Sequence, residues 1–195
     1  MLSSPSQLEA PLRRICDGTP NMWSGSGSWE TATLCLMWWD GLMTDRYASS
    51  CVVTAPVQAV WALISDPREH HRFDDTGMVG QPQQPTSLTG VGQLFTMNMS
   101  YDNGSTVEFY QSDNRIVDFA LERCLAWATA TRSGPQLGWL WRYDLLEVPG
   151  GTQVTLTYDW SSTSSENRTR FGVPLTDQAG LSRSLDLLRA ALTTH

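Results

Sequence analysis

The sequence predicts an α+β domain, an antiparallel sheet of six to seven strands with its helices on one face. Three observations carry that expectation. Residues 138–161, GWLWRYDLLEVPGGTQVTLTYDWS, read as two long strands around a tight turn at Pro149-Gly150-Gly151. Upstream, strand-like runs are separated by short turn signals, which join antiparallel neighbours. Near the end, Leu181, Leu185, Leu188 and Leu192 form one apolar stripe at helical spacing, suited to lie on a sheet.

The elements follow in order. Residues 47–54 alternate, with Tyr47, Cys51 and Val53 on one side, and make a first strand. Ala55-Pro56 ends it and opens a helix in which Val57, Val60, Trp61 and Ile64 share a face. Asp66-Pro67 stops that helix, because the residue before proline disfavours the α region. A second short helical piece covers 68–74, and a short strand falls near 77–81. Gly92 to Tyr101 is a strand with Phe95, Met97, Met99 and Tyr101 in phase, followed by the turn Asp102-Asn103-Gly104. Residues 105–121 are strand-like, one long strand or a pair broken at Ser112-Asp113-Asn114, with Val107, Phe109, Val117, Phe119 and Leu121 in one phase. Residues 124–131 form another strand, with Leu125, Trp127 and Thr129 on one face. Ser133-Gly134-Pro135 leads into the aromatic hairpin, where Trp139, Trp141, Tyr143 and Leu145 match Val154, Leu156, Tyr158 and Trp160. A Ser/Thr-rich loop at 161–170 precedes the last helix, for which Thr176 is the expected N-cap and Asp177 a favourable first-turn charge.

At 195 residues the chain is expected to hold one main domain. Residues 1–42 differ in character, with four tryptophans, two cysteines and a GSGS patch, whereas Met43 begins a stretch resembling an ordinary bacterial protein start. They are expected to be an atypical extension, a mispredicted start or a cap packed on the domain, with 43–195 the working part. Net charge is −7 and the isoelectric point near 4.8, which argues against binding a phosphate backbone. All thirteen basic residues are arginine, so lysine Schiff-base chemistry is excluded. No apolar run is long enough for a bilayer, and no secretory leader is evident, so a cytoplasmic protein is expected. The four cysteines show no CxxC pair and no zinc-ligand spacing, and no phosphate-cradling glycine motif occurs, so no metal or cofactor is expected. GxSxG is absent.

The strings VVTAPVQAVWALISDP (52–67), GVGQLFTMNM (90–99), NRIVDF (114–119), LAWATA (125–130), WRYDLLEVPGGTQVTLTYDWS (141–161) and LSRSLDLLRAAL (181–192) resemble, in order and spacing, the SRPBCC superfamily of START-like, helix-grip proteins, most closely its polyketide cyclase/dehydrase branch. The resemblance spans roughly Met43 to Thr194. It implies a curved antiparallel sheet gripping the C-terminal helix around a cavity. Its members bind lipids, polyketides or other hydrophobic molecules, and some catalyse cyclisation or dehydration.

The candidate site is the aromatic face, Trp127, Trp139, Trp141, Tyr143, Tyr158 and Trp160, read either as a cavity wall or as plain core. Met97 and Met99 add adaptable walls or helix-facing core. Arg115 shares the phase of Val117 and Phe119 and is expected to reach inward as a charge-assisted donor. Arg142, Asp144 and Asn98 are out of phase and expected to face solvent. The cluster Asp66, Glu69, His70, His71, Asp74 and Asp75 offers general acid/base groups, but a solvated surface turn is the favoured reading. The expected function is binding of a small hydrophobic molecule, a polyketide, lipid or aromatic metabolite. The alternatives are a cyclase, aromatase or dehydratase using the same cavity, or an interaction module with a filled one. No nucleic-acid partner and no membrane insertion are expected, and the oligomer is a monomer or homodimer.

Overall fold

The computed structural model describes residues 45–193. The expectation for residues 1–42 lies outside them. Seven strands form one antiparallel sheet: β1 (Arg46–Val53), β2 (Val79–Pro82), β3 (Leu94–Asp102), β4 (Val107–Ala120), β5 (Cys124–Thr131), β6 (Gln136–Val148) and β7 (Gly151–Asp159). Their order across the sheet is β1-β7-β6-β5-β4-β3-β2. Helix α1 (Val57–Ile64) follows β1, a single 3-10 turn spans His70–Arg72, α2 (Ser165–Phe171) follows β7, and α3 (Gln178–Thr193) closes the domain.

Chain-adjacent strands pair because their connections are short, and β1 then closes onto β7 across the length of the domain. The long strands bend at irregularities between Ile116 and Asp118 and between Ala128 and Ala130. An extra residue on one strand sharpens the local twist, and this curls the sheet. Into the curl pack Leu181, Leu185 and Leu188 of α3, all buried, with Val57, Val60, Trp61 and Ile64 of α1. Helix α3 lies mainly over β1 and β7, while α1 touches β6, β7 and α3. The far end of the curl, under β2–β5, is covered by the 3-10 turn instead, and this asymmetry positions the site.

Two details differ from the sequence expectation, and a third decides between alternatives it left open. Residues 165–171 are helical rather than loop: Ser164 accepts a hydrogen bond from the Asn167 N–H, and Gly172 ends the helix with φ of 65°. Helix α3 is capped by Asp177, whose Oδ1 accepts from the Gly180 N–H at 2.7 Å, rather than by Thr176. β4 is one continuous strand, and its irregularity falls after Ile116, not at Ser112.

Candidate functional site

A recess of about 710 Å³ opens between the start of α3 and the outer end of the β3–β4 hairpin. Its apolar lining comes from Met78, Tyr101, Val107, Pro174 and Leu175. Asp75, Asp102, Asp177 and Arg183 give it a charged rim. Two of these residues tie its walls together: Arg183 of α3 donates through Nε to Asp75 Oδ1 at 2.7 Å and through a terminal nitrogen to Oδ2 at 2.9 Å. The Asp75 backbone N–H also donates to the Ser184 hydroxyl at 3.2 Å.

Asp74 precedes Asp75 of this rim in the chain. Its carboxylate is fixed by the Thr76 hydroxyl (2.8 Å) and the Val79 N–H (3.0 Å). Three aromatic titratable groups feel its charge: His70, Tyr110 and Tyr143. His70 is 6% exposed and Tyr143 5%. Burial pushes His70 down to about 4, against the Ile64 carbonyl and the Asp66, Asp74 and Glu69 carboxylates, which all favour its cation. Burial first, and Asp74 second, raise the Tyr143 phenol well above its ordinary range. Both groups are therefore neutral at physiological pH. His70 Nε2 lies 2.9 Å from the Ile64 carbonyl oxygen, which can only accept, so the ring proton sits on Nε2.

The aromatic face read from the sequence is present, but it divides into three packing groups. Trp127 and Tyr143 stack at 5.9 Å between ring centroids, and His70 stacks on Trp127 at 5.2 Å, with Phe73 and Phe95 edge-on around them. Trp141 stacks on Tyr158 at 4.3 Å, and Tyr158 leads to Trp160 and Tyr47. Trp139 packs edge-on against Phe171 of α2. Tyr158 is bound to the recess wall, since its hydroxyl accepts from the Leu175 N–H at 3.4 Å; burial pushes its phenol up to about 12. Met97 is buried under the 3-10 turn's end of the sheet, and Met99 is half-buried beside Ser100 of the recess wall.

Arg115 is corrected. It is exposed and donates to the Gly92 carbonyl at 3.1 Å, on the face opposite Asn114 and Ile116. Before its irregularity the inward residues of β4 are Ser112, Asn114 and Ile116, the reverse of the expected phase; beyond it Phe119 turns in against Trp61, as expected. The polar pair is satisfied by its neighbours: Thr129 donates to Asn114 Oδ1 (3.0 Å), and Asn114 Nδ2 donates to the Ser112 hydroxyl (3.3 Å). Arg142 and Asp144 lie opposite the aromatic face as expected, with Arg142 clasping Asp118 and Asp144 at 2.7 Å each. Asn98 is exposed and donates to the Gln81 carbonyl.

The acidic-histidine cluster is also corrected in part. His71, Asp66 bound to Arg68, and Glu69 bound to Arg72 belong to a surface turn, whereas His70 is core. Sequence reasoning misses it because the acidic neighbourhood favours a surface turn for the whole cluster, even though adjacent histidines point different ways on a helix. The usable signal was Phe73, three residues on, which shares the buried side of the 3-10 turn.

A curled antiparallel sheet closed by a C-terminal helix is the helix-grip arrangement. A family model for Activator of Hsp90 ATPase homolog 1-like proteins matches residues 54–193, and the chain belongs to that family and, through it, to the SRPBCC superfamily. It is 28% identical over 147 residues to an uncharacterized protein of Mycobacterium tuberculosis, Rv0088, covering 72% of this chain and 61% of that one. The chain thus spans about three fifths of the length of this curated relative. Among solved structures it is similar to protein Ms6760 from Mycobacterium smegmatis, at 20% identity and a TM-score of 0.56, covering 78% of this chain and 94% of that one. A protein from Arthrobacter aurescens is similar at 17% identity and a TM-score of 0.58, with 78% and 88% covered. The Zhui aromatase/cyclase from Streptomyces sp. R1128 shares the fold at 13% identity and a TM-score of 0.51, with 76% and 93% covered. No helix among the described residues is long and apolar enough to cross a membrane.

Proposed function

We propose that the domain binds a small hydrophobic molecule, a polyketide, lipid or aromatic metabolite, between the sheet and α3, and admits it through the recess beside Leu175. The carrying observation is the recess itself: about 710 Å³, open to solvent, with apolar and charged groups in its lining, and sited between the start of α3 and the outer end of the β3–β4 hairpin. That volume falls in the range of small-molecule sites, which combine apolar walls with a few directing polar groups. Tyr158 adjoins its wall through Leu175 and Met99 through Ser100, and Met97, Trp127, Trp139, Trp141, Tyr143 and Trp160 are the further residues of the sheet proposed to contact the ligand. The protein then acts as a cytoplasmic carrier or sensor, monomeric or homodimeric, with residues 43–195 as the working part.

Native mass spectrometry of the protein purified from the organism that makes it, followed by denaturing extraction, tests this. A stoichiometric small-molecule adduct, diminished by Met78→Trp, supports the reading. A bare mass together with no uptake of any added hydrophobic probe counts against it.

One observation favours a second reading, catalysis in the same place. The Asp74 carboxylate acts electrostatically on one imidazole, His70, and two phenols, Tyr110 and Tyr143, group types that an acid/base reaction of a poly-β-ketone would use. Turnover of such a thioester by the purified protein, lost in Tyr143→Phe, is the sign of that reading.

A further inference from the structure

We propose, resting on the ligand reading of the recess above, that the recess selects hydrophobic molecules carrying a protonated amine, with Asp102 as the carboxylate that receives it. The charge of its lining carries the inference. Among the described residues that line the recess, Asp75, Asp102 and Asp177 are acidic and Arg183 alone is basic. Arg183 is already committed, since Nε and a terminal nitrogen donate to the two Asp75 oxygens at 2.7 Å and 2.9 Å. A ligand carboxylate would have to displace Asp75 from that fork and then stand beside like charges, which is a built-in bias against acids.

The other carboxylates differ in what they already do. The N-terminus of α3 is the one feature here that would draw an anion, and Asp177 fills it: Oδ1 accepts from the Gly180 N–H at 2.7 Å. Asp102 has no such counterpart. It ends β3, and its Oδ1 accepts from the neutral Gly104 N–H at 2.8 Å in the turn toward β4. No basic side chain bonds to it among the described residues.

Carboxylates on an open surface are solvated and select nothing. Asp102 instead stands in the lining of a concave site of about 710 Å³, with Met78, Val107 and Leu175 in the same lining. Tyr101, the residue before it, also lines the recess and is 48% exposed, so a ring and a carboxylate meet an incoming cation together. The ring's negative face and the carboxylate both attract an ammonium group, while the apolar body of the molecule rests on Met78, Val107 and Leu175. A concave lining with one sign of charge in excess also raises the local concentration of opposite charge. The apolar wall accordingly supplies the affinity, and the rim decides which hydrophobic molecule is held.

The test is equilibrium dialysis of the full chain at neutral pH against 2-naphthylmethylamine, 2-naphthylmethanol and 2-naphthoate, which share a ring system and differ in charge. At low salt the amine binds tightest and the naphthoate weakest, with roughly three- to tenfold between amine and alcohol. High salt narrows that gap. Asp102→Asn, which keeps a side-chain oxygen for the Gly104 N–H, weakens the amine about two- to fivefold and leaves the alcohol unchanged. Met78→Trp, which fills the recess, weakens amine and alcohol alike. Equal affinity for amine and alcohol, tightest binding of naphthoate, or an amine affinity indifferent to Asp102→Asn overturns the selection and leaves the recess standing as an uncharged-ligand site. An amine preference that survives Met78→Trp reflects only the protein's net charge of −7 and overturns it as well. No uptake of any of the three removes the recess reading, and the selection with it.

Discussion

Acidification should destabilise this domain through one residue, and the size of the effect follows from where His70 sits. Unfolded, its imidazole titrates at the ordinary value of 6.5; folded, burial holds it down to about 4. A histidine depressed in the folded state binds its proton more readily when unfolded, so stability rises with pH between the two values. The contribution is intact above 6.5 and drains away as pH falls toward 4, and the loss grows no further below that. At about 1.4 kcal/mol for each pH unit the loss is about 3 kcal/mol, a large share of a domain's net stability of roughly 5–15 kcal/mol. Carboxylates contribute in a lower window. Asp66, held below the ordinary carboxylate value of 3.8 chiefly by the side-chain hydrogen bond from Arg68, loses its contribution only as pH falls below that value. Urea unfolding at pH 7, 6, 5 and 4.5 on the unsubstituted protein and on His70→Gln separates the two windows. The difference between the proteins should close, or reverse in favour of the variant, by about 2–3 kcal/mol across this series. Parallel stability curves, or a His70 ring signal that titrates near 6.5 in the folded protein, would refute the reasoning.

Other consequences are more local. Asn114→Ala strands the buried hydroxyls of Thr129 and Ser112 and should cost about 2 kcal/mol, a fall of roughly 4–8 °C in Tm by calorimetry; a change under about 1 °C contradicts the network. Gly138 has φ of +93°, and a Cβ there would stand 2.4 Å from the Ser162 carbonyl oxygen and 2.6 Å from the Thr163 Cα. Both neighbours are backbone and cannot step aside, so Gly138→Ala should lose about 2 kcal/mol or more in urea unfolding. Leu188→Ala empties the α3–sheet contact and should cost about 2–5 kcal/mol, whereas Phe109→Ser, at a position 83% exposed, should stay within about 0.5 kcal/mol.

The elements legible in the sequence are those whose environment is one-sided. β6 and β7 alternate because one face is core and the other meets Arg142, Asp144 and solvent, and the Pro149-Gly150 turn fixes their register. Helix α1 announced itself through Val57, Val60, Trp61 and Ile64 and its Asp66-Pro67 stop. The last helix did so through its leucine stripe.

The failures have physical causes of their own. In β4 the apolar residues Val107, Phe109 and Val117 face outward, while Ser112 and Asn114 face in. Binary patterning reads the part of such a strand before its irregularity backwards, because the inward polar groups satisfy one another across β5 and need no water. Arg115 inherited that error. Helix α2 buries no residue, so it carries no period to detect, and only Ser164 and Gly172 marked its ends. Of the site, the aromatic composition was legible, but its division among three groups was not. Which of them a helix covers depends on the curl of the sheet, and that is set by irregularities no short window reveals. His70 was hidden by a polar neighbourhood that lies on only one side of a three-residue turn.

The central claim is that a hydrophobic molecule enters at the recess and lies between the sheet and α3. Amide and indole N–H chemical shifts, followed in 15N-labelled protein during titration with 2-naphthol, test it most directly. The account predicts saturable shifts at Met78, Ser100, Leu175 and Asp177, continuing to Tyr143 and the Trp127 indole. Shifts confined to the exposed strand around Phe109, or none at saturation, would contradict it.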